Sequence, residues 1–435
     1  MPLCIALFFL AGNALLGSLL QPLGTSRYFR DEVAVYAAEG KQADIVFLGS
    51  SRTFQTYAPE VLERELGLEL VINAGSATQR PESSYYLLKD LYRQVKPKVV
   101  VWGVQWNMLL KEATESQRLE SAITAYDRMS ARGRIEYIPT YMFTDLWPQF
   151  LDVYRYRNDF RYDAIRKNLE AKAEYKEHGF IPDTEADHYY AGKGFTYSNT
   201  HCEDGNVPIM DEGGQIRFSA EEIDPEKLRY LEKVTKFCEK NGIRLYLVAS
   251  PIAVMNLYHL EGYQEANDYY ADFAEKHGIV FYNLNYLKDK EELFPDHMQC
   301  DYVHLSGEGA EAASALFAEL LRMEANGEST DGLFYDDLSE VKAQIRRIAA
   351  VKADIEREGT RAEVSVLSLH NEDVVVRYKA EYAKEGEEEF VLLRDWSEGE
   401  EFELALPSAS GGRLRISAWS GVEGEGIAWQ EYVLE

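Results

Sequence analysis

Short apolar runs alternate with helix-like stretches in the first part of this chain of 435 residues. Residues 44–48, 70–72 and 98–102 have the length and composition of buried strands, and amphipathic stretches over 59–66 and 82–95 lie between them. Strands that alternate with helices form parallel sheets, because each helix returns the chain to the same edge. The sequence therefore predicts an α/β domain with a parallel sheet, in which the loops after the strands gather at one edge.

The alternation stops at residue 111 and resumes at residue 225. The later part has the same periodicities, with predicted helices over 225–241, 264–277 and 306–323 and predicted strands over 244–249 and 280–283. Residues 111–225 are rich in Tyr and Arg and only partly helical in pattern. We expect an insertion above the carboxyl edge of the sheet, either as a lid or substrate-binding wall or as a pad that only covers sheet surface.

The hydrophobic pattern changes again after the α/β region, which we place at residues 28–323. Residues 324–358 read as a polar linker followed by a charged connector helix over 338–358. From residue 359 to the end, apolar residues alternate with polar ones and glycine-rich turns separate the runs. This pattern predicts a small C-terminal β-sandwich.

The N-terminal stretch is apolar from Leu3 to Leu20 except for Asn13 and Ser18, and 18 such residues are enough to span a bilayer. We expect residues 1–27 to be a retained membrane anchor, with a buried first helix as the alternative. The basic residues that flank it come after the span, which by the positive-inside rule would place the body in the cytoplasm. We expect an extracytoplasmic body instead, on the hypothesis that the recorded start is late and a short basic segment precedes it.

The composition excludes some functions. A formal net charge of −28 argues against nucleic acid as a partner, because phosphates would be repelled. The four cysteines form no C-x-x-C pair, and only a Cys202–Cys300 bridge stays open. No P-loop or defensible metal-ligand spacing is present, so we predict neither a metal nor a cofactor.

A serine turn follows the first predicted strand. That strand ends in Gly49, and Ser50 and Ser51 come next, where a helix begins. A hydroxyl at such a turn faces solvent at the carboxyl edge of the sheet, near backbone N–H groups that can bind an anion. Two interpretations fit this turn: a Ser-Ser helix cap, or a nucleophile at Ser51.

A second stretch, just before the last predicted helix of the α/β region, favours the nucleophile. It contains Asp301 and His304, three residues apart. His304 would accept the proton of Ser51, and Asp301 would hold the imidazole in the required tautomer. The chain order is then Ser, Asp, His.

The loops after the second and third strands supply candidate donors for the oxyanion of a tetrahedral intermediate. The backbone N–H groups of Ser51 and Gly75 are two of them. A side-chain amide from Gln105 or Asn107 would complete the site, and the sequence leaves open which one.

With these residues in place, the chain resembles the SGNH (GDSL-like) hydrolase superfamily. Gly49-Ser50-Ser51 stands where that family has Gly-Asp-Ser, Gly75 stands at the family glycine, and Asp301 and His304 match its D-x-x-H block. The resemblance covers residues 44–110 and 226–323. It implies a three-layer α/β/α fold, a Ser-His-Asp triad and a seryl-acyl intermediate.

The chain departs from the family pattern at two places. Ser50 replaces the family aspartate, and the Gly-x-Asn-Asp block is replaced by the stretch from Gly103 to Asn107. A Gln-Trp pair in that stretch, an anchor and a large insertion look like the DltD-type and alginate-acetylation-type branch. That resemblance implies acyl transfer onto an envelope polysaccharide outside the membrane, with a membrane-bound O-acyltransferase as partner.

The reaction we expect is ester chemistry at Ser51, with water or a carbohydrate hydroxyl as the acyl acceptor. A different class of function stays open, namely a catalytically weak envelope protein that binds glycan or a partner. The unusual stretch around Gln105 favours that alternative, and the complete Ser, Asp and His set opposes it.

Overall fold

The computed structural model describes residues 12, 16–17, 19–111, 114–209, 217–345, 347–409 and 411–434. No helix within these ranges is both long and apolar enough to cross a bilayer. The anchor predicted over residues 1–27 falls largely outside the described residues, so it stays a prediction.

The described chain divides into two compact units. The first takes the residues up to Asn199 together with Glu222–Val248 and Ala274–Phe281, and the second takes the remainder.

In chain order, the strands up to residue 283 are β1 (Ile45–Leu48), β2 (Val71–Asn73), β3 (Val99–Gly103), β4 (His188–Gly192), β5 (Phe195–Ser198), β6 (Arg244–Ala249) and β7 (Val280–Asn283).

The central sheet has five strands in the order β2-β1-β3-β6-β7. β1 pairs in parallel with β2 and β3, and β3 pairs in parallel with β6. Strands β1 and β2 are buried along their whole length, as expected for a parallel sheet covered on both faces. The predicted α/β class is therefore confirmed, and the loops after β1, β2 and β3 leave the same edge.

Sequence signals explain the helices that connect these strands. The helix Pro59–Leu66 has Pro at its start and ends at Gly67, which adopts the left-handed conformation (φ 64°) that glycine tolerates. The helix Pro81–Val95 also starts with Pro and buries Leu87, Leu88, Leu91 and Val95. The first unit also contains the helices Thr25–Ala38, Ser51–Phe54 and Pro225–Lys240.

Among its described residues, the insertion contains four α-helices, which span Glu115–Arg128, Ala131–Tyr137, Asp152–Arg155 and Tyr162–His178. It also contains the β4–β5 hairpin, which the sequence pattern did not predict. The hairpin tip contacts the central sheet, because the N–H of Asn73 donates to the carbonyl of Lys193 over 2.8 Å. At least part of the insertion is therefore fixed to the edge strand β2.

The described part of the second unit combines helices with two antiparallel sheets. Its strands are β8 (Ala350–Glu358), β9 (Arg361–Leu369), β10 (Arg377–Lys384), β11 (Val391–Ser397), β12 (Glu401–Ala405), β13 (Gly412–Trp419) and β14 (Ala428–Leu434). The sheet orders are β11-β10-β13-β14 and β12-β9-β8, and residues from both sheets share one apolar core. The C-terminal sandwich is therefore present.

The α-helices that lie after β6 span Met255–His259, Tyr263–His277, Lys290–Leu293, Gly307–Ala325 and Leu338–Gln344. Cys202 and Cys300, both in the second unit, are not joined by a disulfide, so the bridge left open by the sequence is not formed. Cys300 instead has its Sγ 3.0 Å from the hydroxyl of Thr200.

The connector helix predicted over residues 338–358 is wrong in its second half. The helix ends at Gln344, and residues 350–358 form β8, which pairs with β9 along its full length. Lys, Glu and Arg have high helix propensity, and this composition suggested a helix. Burial decides otherwise, because Val351 and Ala353 enter the sandwich core while the charged side chains remain at least partly exposed.

Candidate active site

The backbone around Ser51 is a sharp strand-to-helix turn. Gly49 has φ 140°, and a Cβ at this position would lie 2.2 Å from the Oγ1 of Thr53, so only glycine fits. Ser50 occupies the N-cap position but makes no side-chain cap hydrogen bond. Ser51 is the first helical residue and is half-buried. The interpretation of this turn as a helix cap alone is therefore not supported, because it requires a hydrogen bond from the helix backbone to the Ser50 side chain.

The loop after β2 lies directly against this turn. The side-chain amide of Asn73 donates to the carbonyls of Thr53 and Tyr57, over 2.9 and 2.8 Å. The N–H of Gly75, a predicted oxyanion donor, points to the Oδ1 of Asn73 over a longer 3.2 Å. Gly75 is therefore next to the serine turn, and its N–H has a weak internal acceptor.

The loop after β3 carries the two candidate amides. Gln105 and Asn107 are half-buried and flank the buried Trp106. The guanidinium of Arg52 stacks on the Trp106 ring, 3.7 Å from its centroid. Because Arg52 follows Ser51 in the chain, this contact links the serine turn to the amide loop. Both amides therefore remain candidates for the oxyanion donor.

Asp301 and His304 form a hydrogen-bonded pair just before the helix Gly307–Ala325. The Oδ2 of Asp301 lies 2.8 Å from the Nδ1 of His304, and its Oδ1 accepts from the N–H groups of Val303 and His304 over 2.7 and 2.8 Å. Burial raises the pKa of Asp301, but these hydrogen bonds and the charge of His304 outweigh it, so the pKa is lowered. Asp301 is therefore built as an ionised partner that orients the imidazole.

The predicted site residues fall into two groups. Ser51, Gly75, Gln105 and Asn107 lie together at the ends of β1, β2 and β3 in the first unit, and Asp301 and His304 lie together in the second. The pairing of Ser51 with His304 stays a prediction. Within the described ranges, no group of three or more His, Cys, Asp or Glu side chains could hold a metal ion.

Sequence reasoning assigned no role to three residues around the serine turn. Asn73 and Gln79 are fully or almost fully buried and hydrogen-bond to its backbone, and Arg128 from the insertion donates to the carbonyl of Gly75. These hydrogen bonds are made to backbone groups, which leave no mark in a sequence.

The fold and these residues define an α/β protein with a serine turn at a parallel sheet edge and an oriented Asp–His pair. A protein-family model matches residues 215–326, which is less than half of the chain and does not assign it to a family. No curated protein matches the sequence.

Two solved structures illustrate the similarity that was found. A GDSL-like lipase from Bacteroides thetaiotaomicron is 11% identical, with 69% of this chain and 100% of that chain covered and a TM-score of 0.30. A gut microbial diltiazem-metabolizing enzyme is also 11% identical, with 75% of this chain and 57% of that chain covered and a TM-score of 0.31. Identities and TM-scores this low transfer no activity to this chain.

Proposed function

We propose that this chain is a serine esterase or O-acyltransferase of the SGNH type. The observation that carries the proposal is the geometry of Asp301 and His304. Asp301 accepts hydrogen bonds from two backbone N–H groups and from the imidazole N–H, which fix its carboxylate in place. The carboxylate in turn fixes the orientation of the imidazole, as a general base for a hydroxyl requires. The serine turn at Ser51 supplies a hydroxyl of the kind that such a base activates.

The chemistry follows from these roles. The Oγ of Ser51 attacks the ester carbonyl carbon while His304 takes its proton, and the N–H of Gly75 and one side-chain amide bind the oxyanion. The intermediate collapses to a seryl ester, and the departing alcohol takes the proton back from His304. Water or a carbohydrate hydroxyl then releases the acyl group by the same steps in reverse.

We further propose an envelope polysaccharide as acceptor or substrate, an extracytoplasmic site anchored by residues 1–27, and a membrane-bound O-acyltransferase as partner. The support is the sequence resemblance to the DltD-type and alginate-acetylation-type branch at Gln105 and Trp106. Transfer also requires that water be kept from the seryl ester. The insertion favours the exclusion of water, because Arg128 connects it to the loop that carries Gly75.

A glycan-binding protein without turnover is the second candidate. One observation favours it: the N–H of Gly75 already has an acceptor in the side chain of Asn73. At 3.2 Å this bond is long, and an oxyanion would compete with it effectively because hydrogen bonds to charged acceptors are stronger.

A fluorophosphonate probe separates the two candidates. The probe should label the full chain at Ser51, and Ser51→Ala should abolish labelling. Ser50→Ala is the matched control, because the neighbouring hydroxyl is buried and makes no cap hydrogen bond, and it should leave labelling largely intact. Labelling that survives in Ser51→Ala but not in Ser50→Ala would identify Ser50 as the nucleophile. No labelling of the unmodified chain would favour the binding protein.

A further inference from the structure

The side chain of Gln79 uses every hydrogen-bonding position it has. It is 4% exposed. Its Nε2 donates to the carbonyl of Ala74 over 2.9 Å and lies 3.0 Å from the hydroxyl of Ser76. Its Oε1 accepts from the N–H of Gly49 over 2.9 Å and from the hydroxyl of Ser84 over 2.8 Å. A primary amide offers two donors and two acceptor sites, so nothing is left over.

Two of these bonds reach the loops that carry the proposed chemistry. The carbonyl of Ala74 and the N–H of Gly75 belong to one peptide unit, which is planar and trans. A hydrogen bond that fixes the direction of this carbonyl therefore fixes the N–H of Gly75 in the opposite direction. The bond to Gly49 holds the residue that sets the serine turn at the end of β1.

The peptide on the other side of Gly75 is held as well. The carbonyl of Gly75 accepts from the buried guanidinium of Arg128, and the N–H of Ser76 donates to the carbonyl of Gly49 over 2.9 Å. A Cβ at Gly75 would lie 3.2 Å from that same carbonyl of Gly49. The two loops are thus joined by their backbones and by one amide side chain.

We propose that Gln79 is a positioning residue that aims the N–H of Gly75 and sets the distance between that donor and the Ser51 turn. The inference rests on the proposed function, since aim matters only if an oxyanion forms there. Misplacing a catalytic group by about 1 Å can cost about a hundredfold in rate. Gln79 would therefore affect the rate of attack far more than the affinity for a ligand.

The test compares three variants of the full chain by the second-order rate of fluorophosphonate labelling and by thermal midpoint. In Gln79→Asn the amide is kept but withdrawn by one methylene, and labelling should slow by about tenfold to a hundredfold. In Gln79→Glu the ionised side chain can no longer donate to Ala74, so labelling at about pH 8 should slow as much. Ser84→Ala removes a bond of the same network that does not touch the peptide before Gly75, and it should change the thermal midpoint but not the rate.

The pH profile of Gln79→Glu provides a readout that a merely structural role would not move. When the carboxyl introduced by this substitution is protonated, it can donate to Ala74 and accept from Gly49, and burial raises the pKa of such a group. The ratio of the variant's labelling rate to that of the unmodified chain should therefore rise as the pH falls.

Three results would overturn the inference. The first is a folded Gln79→Glu variant that labels as fast as the unmodified chain under the same alkaline conditions. The second is a ratio that stays flat with pH, and the third is a Ser84→Ala variant that is equally slowed. If the unmodified chain is not labelled at all, or if Ser51→Ala is labelled normally, the proposed function fails and the inference fails with it.

Discussion

At the scale of the residue, the Asp301–His304 pair has an internal counterpart in the same unit. Asp204 contacts His297 with an Oδ1 to Nδ1 distance of 2.9 Å, closely similar to that of the proposed catalytic pair. The difference lies in the surroundings, because Asp301 also accepts from two successive backbone N–H groups within its own turn, over 2.7 and 2.8 Å, whereas Asp204 accepts from the N–H of His297 over a longer 3.2 Å. Asp204 therefore serves as a control for Asp301.

Asp301→Asn should slow fluorophosphonate labelling by about two to four orders of magnitude, because the new amide disfavours the imidazole tautomer that accepts a proton from serine. The variant keeps an oxygen for the backbone N–H groups, so the fold should survive. Asp204→Asn makes the same change in the other pair and should label at the normal rate. Equal effects in both variants would contradict the assigned role of Asp301.

The lowered pKa of Asp301 gives a pH dependence of stability. A carboxyl whose pKa is lower in the folded state contributes stability above its unfolded pKa of about 3.9, and this contribution is lost as the pH falls through the folded value. The difference in thermal midpoint between the unmodified chain and Asp301→Asn should be full near about pH 6 and should shrink below about pH 4. Thermal unfolding monitored by circular dichroism at several pH values measures it, and a difference that grows on acidification would refute the sign.

At the scale of the element, the sequence predicted those elements whose ends carry explicit signals. The helix Pro59–Leu66 and the strands β6 and β7 have the expected bounds, because proline, glycine and short apolar runs mark them. The hairpin β4–β5 was missed, since its strands are short and aromatic and its turn is bulged. β8 was misread because its charged residues favour a helix and only its partner β9 makes it a strand.

The residues of the candidate site also divide into those that the sequence predicted and those that it could not predict. Ser51, Asp301 and His304 belong to local patterns, so the turn and the Asp–His pair could be expected from the sequence. Gln79 could not, because its partners include backbone groups of Gly49 and Ala74 that become neighbours only after folding.

The tip of the β4–β5 hairpin depends on Gly194. This residue has φ 89°, and a Cβ there would lie 1.7 Å from the carbonyl oxygen of Asn73. Gly194→Ala should therefore separate the hairpin tip from β2. Gly40→Ala is the matched control, since Gly40 also has a positive φ of 71° but open space around it.

Both substitutions introduce the backbone strain of a left-handed alanine, about 1–2 kcal/mol, and only Gly194→Ala adds the steric overlap. Urea unfolding should give a larger loss of free energy of unfolding for Gly194→Ala. Equal losses would mean that the hairpin tip does not dock as described.

At the scale of the whole molecule, β8 changes where the C-terminal module can be separated. The sequence placed that boundary after residue 358, and a truncation there would remove β9 and leave β8 without its partner. Arg347, just before β8, also forms ion pairs with Glu291 and Asp296, only a few residues before Asp301. The module is thus tied to the segment that leads into the Asp–His pair.

A chain that ends at residue 358 should aggregate more than one that ends at residue 344, because an unpaired strand presents free backbone groups and an apolar face to other chains. Analytical ultracentrifugation of the two truncations at equal concentration measures this difference. A monomeric, soluble 1–358 chain would contradict the assignment of β8 to the sandwich.

The strand order also has a consequence for how the chain folds. β2, β1 and β3 are close in sequence, whereas β3 and its neighbour β6 are separated by the whole insertion. Joining β3 to β6 requires the closure of a loop of about 140 residues, whose entropic cost must be met before the contact stabilises anything. Refolding should therefore be biphasic, with early protection from hydrogen exchange in β1 and β3 and later protection in β6. The serine turn would then form before β6 and β7 join the sheet.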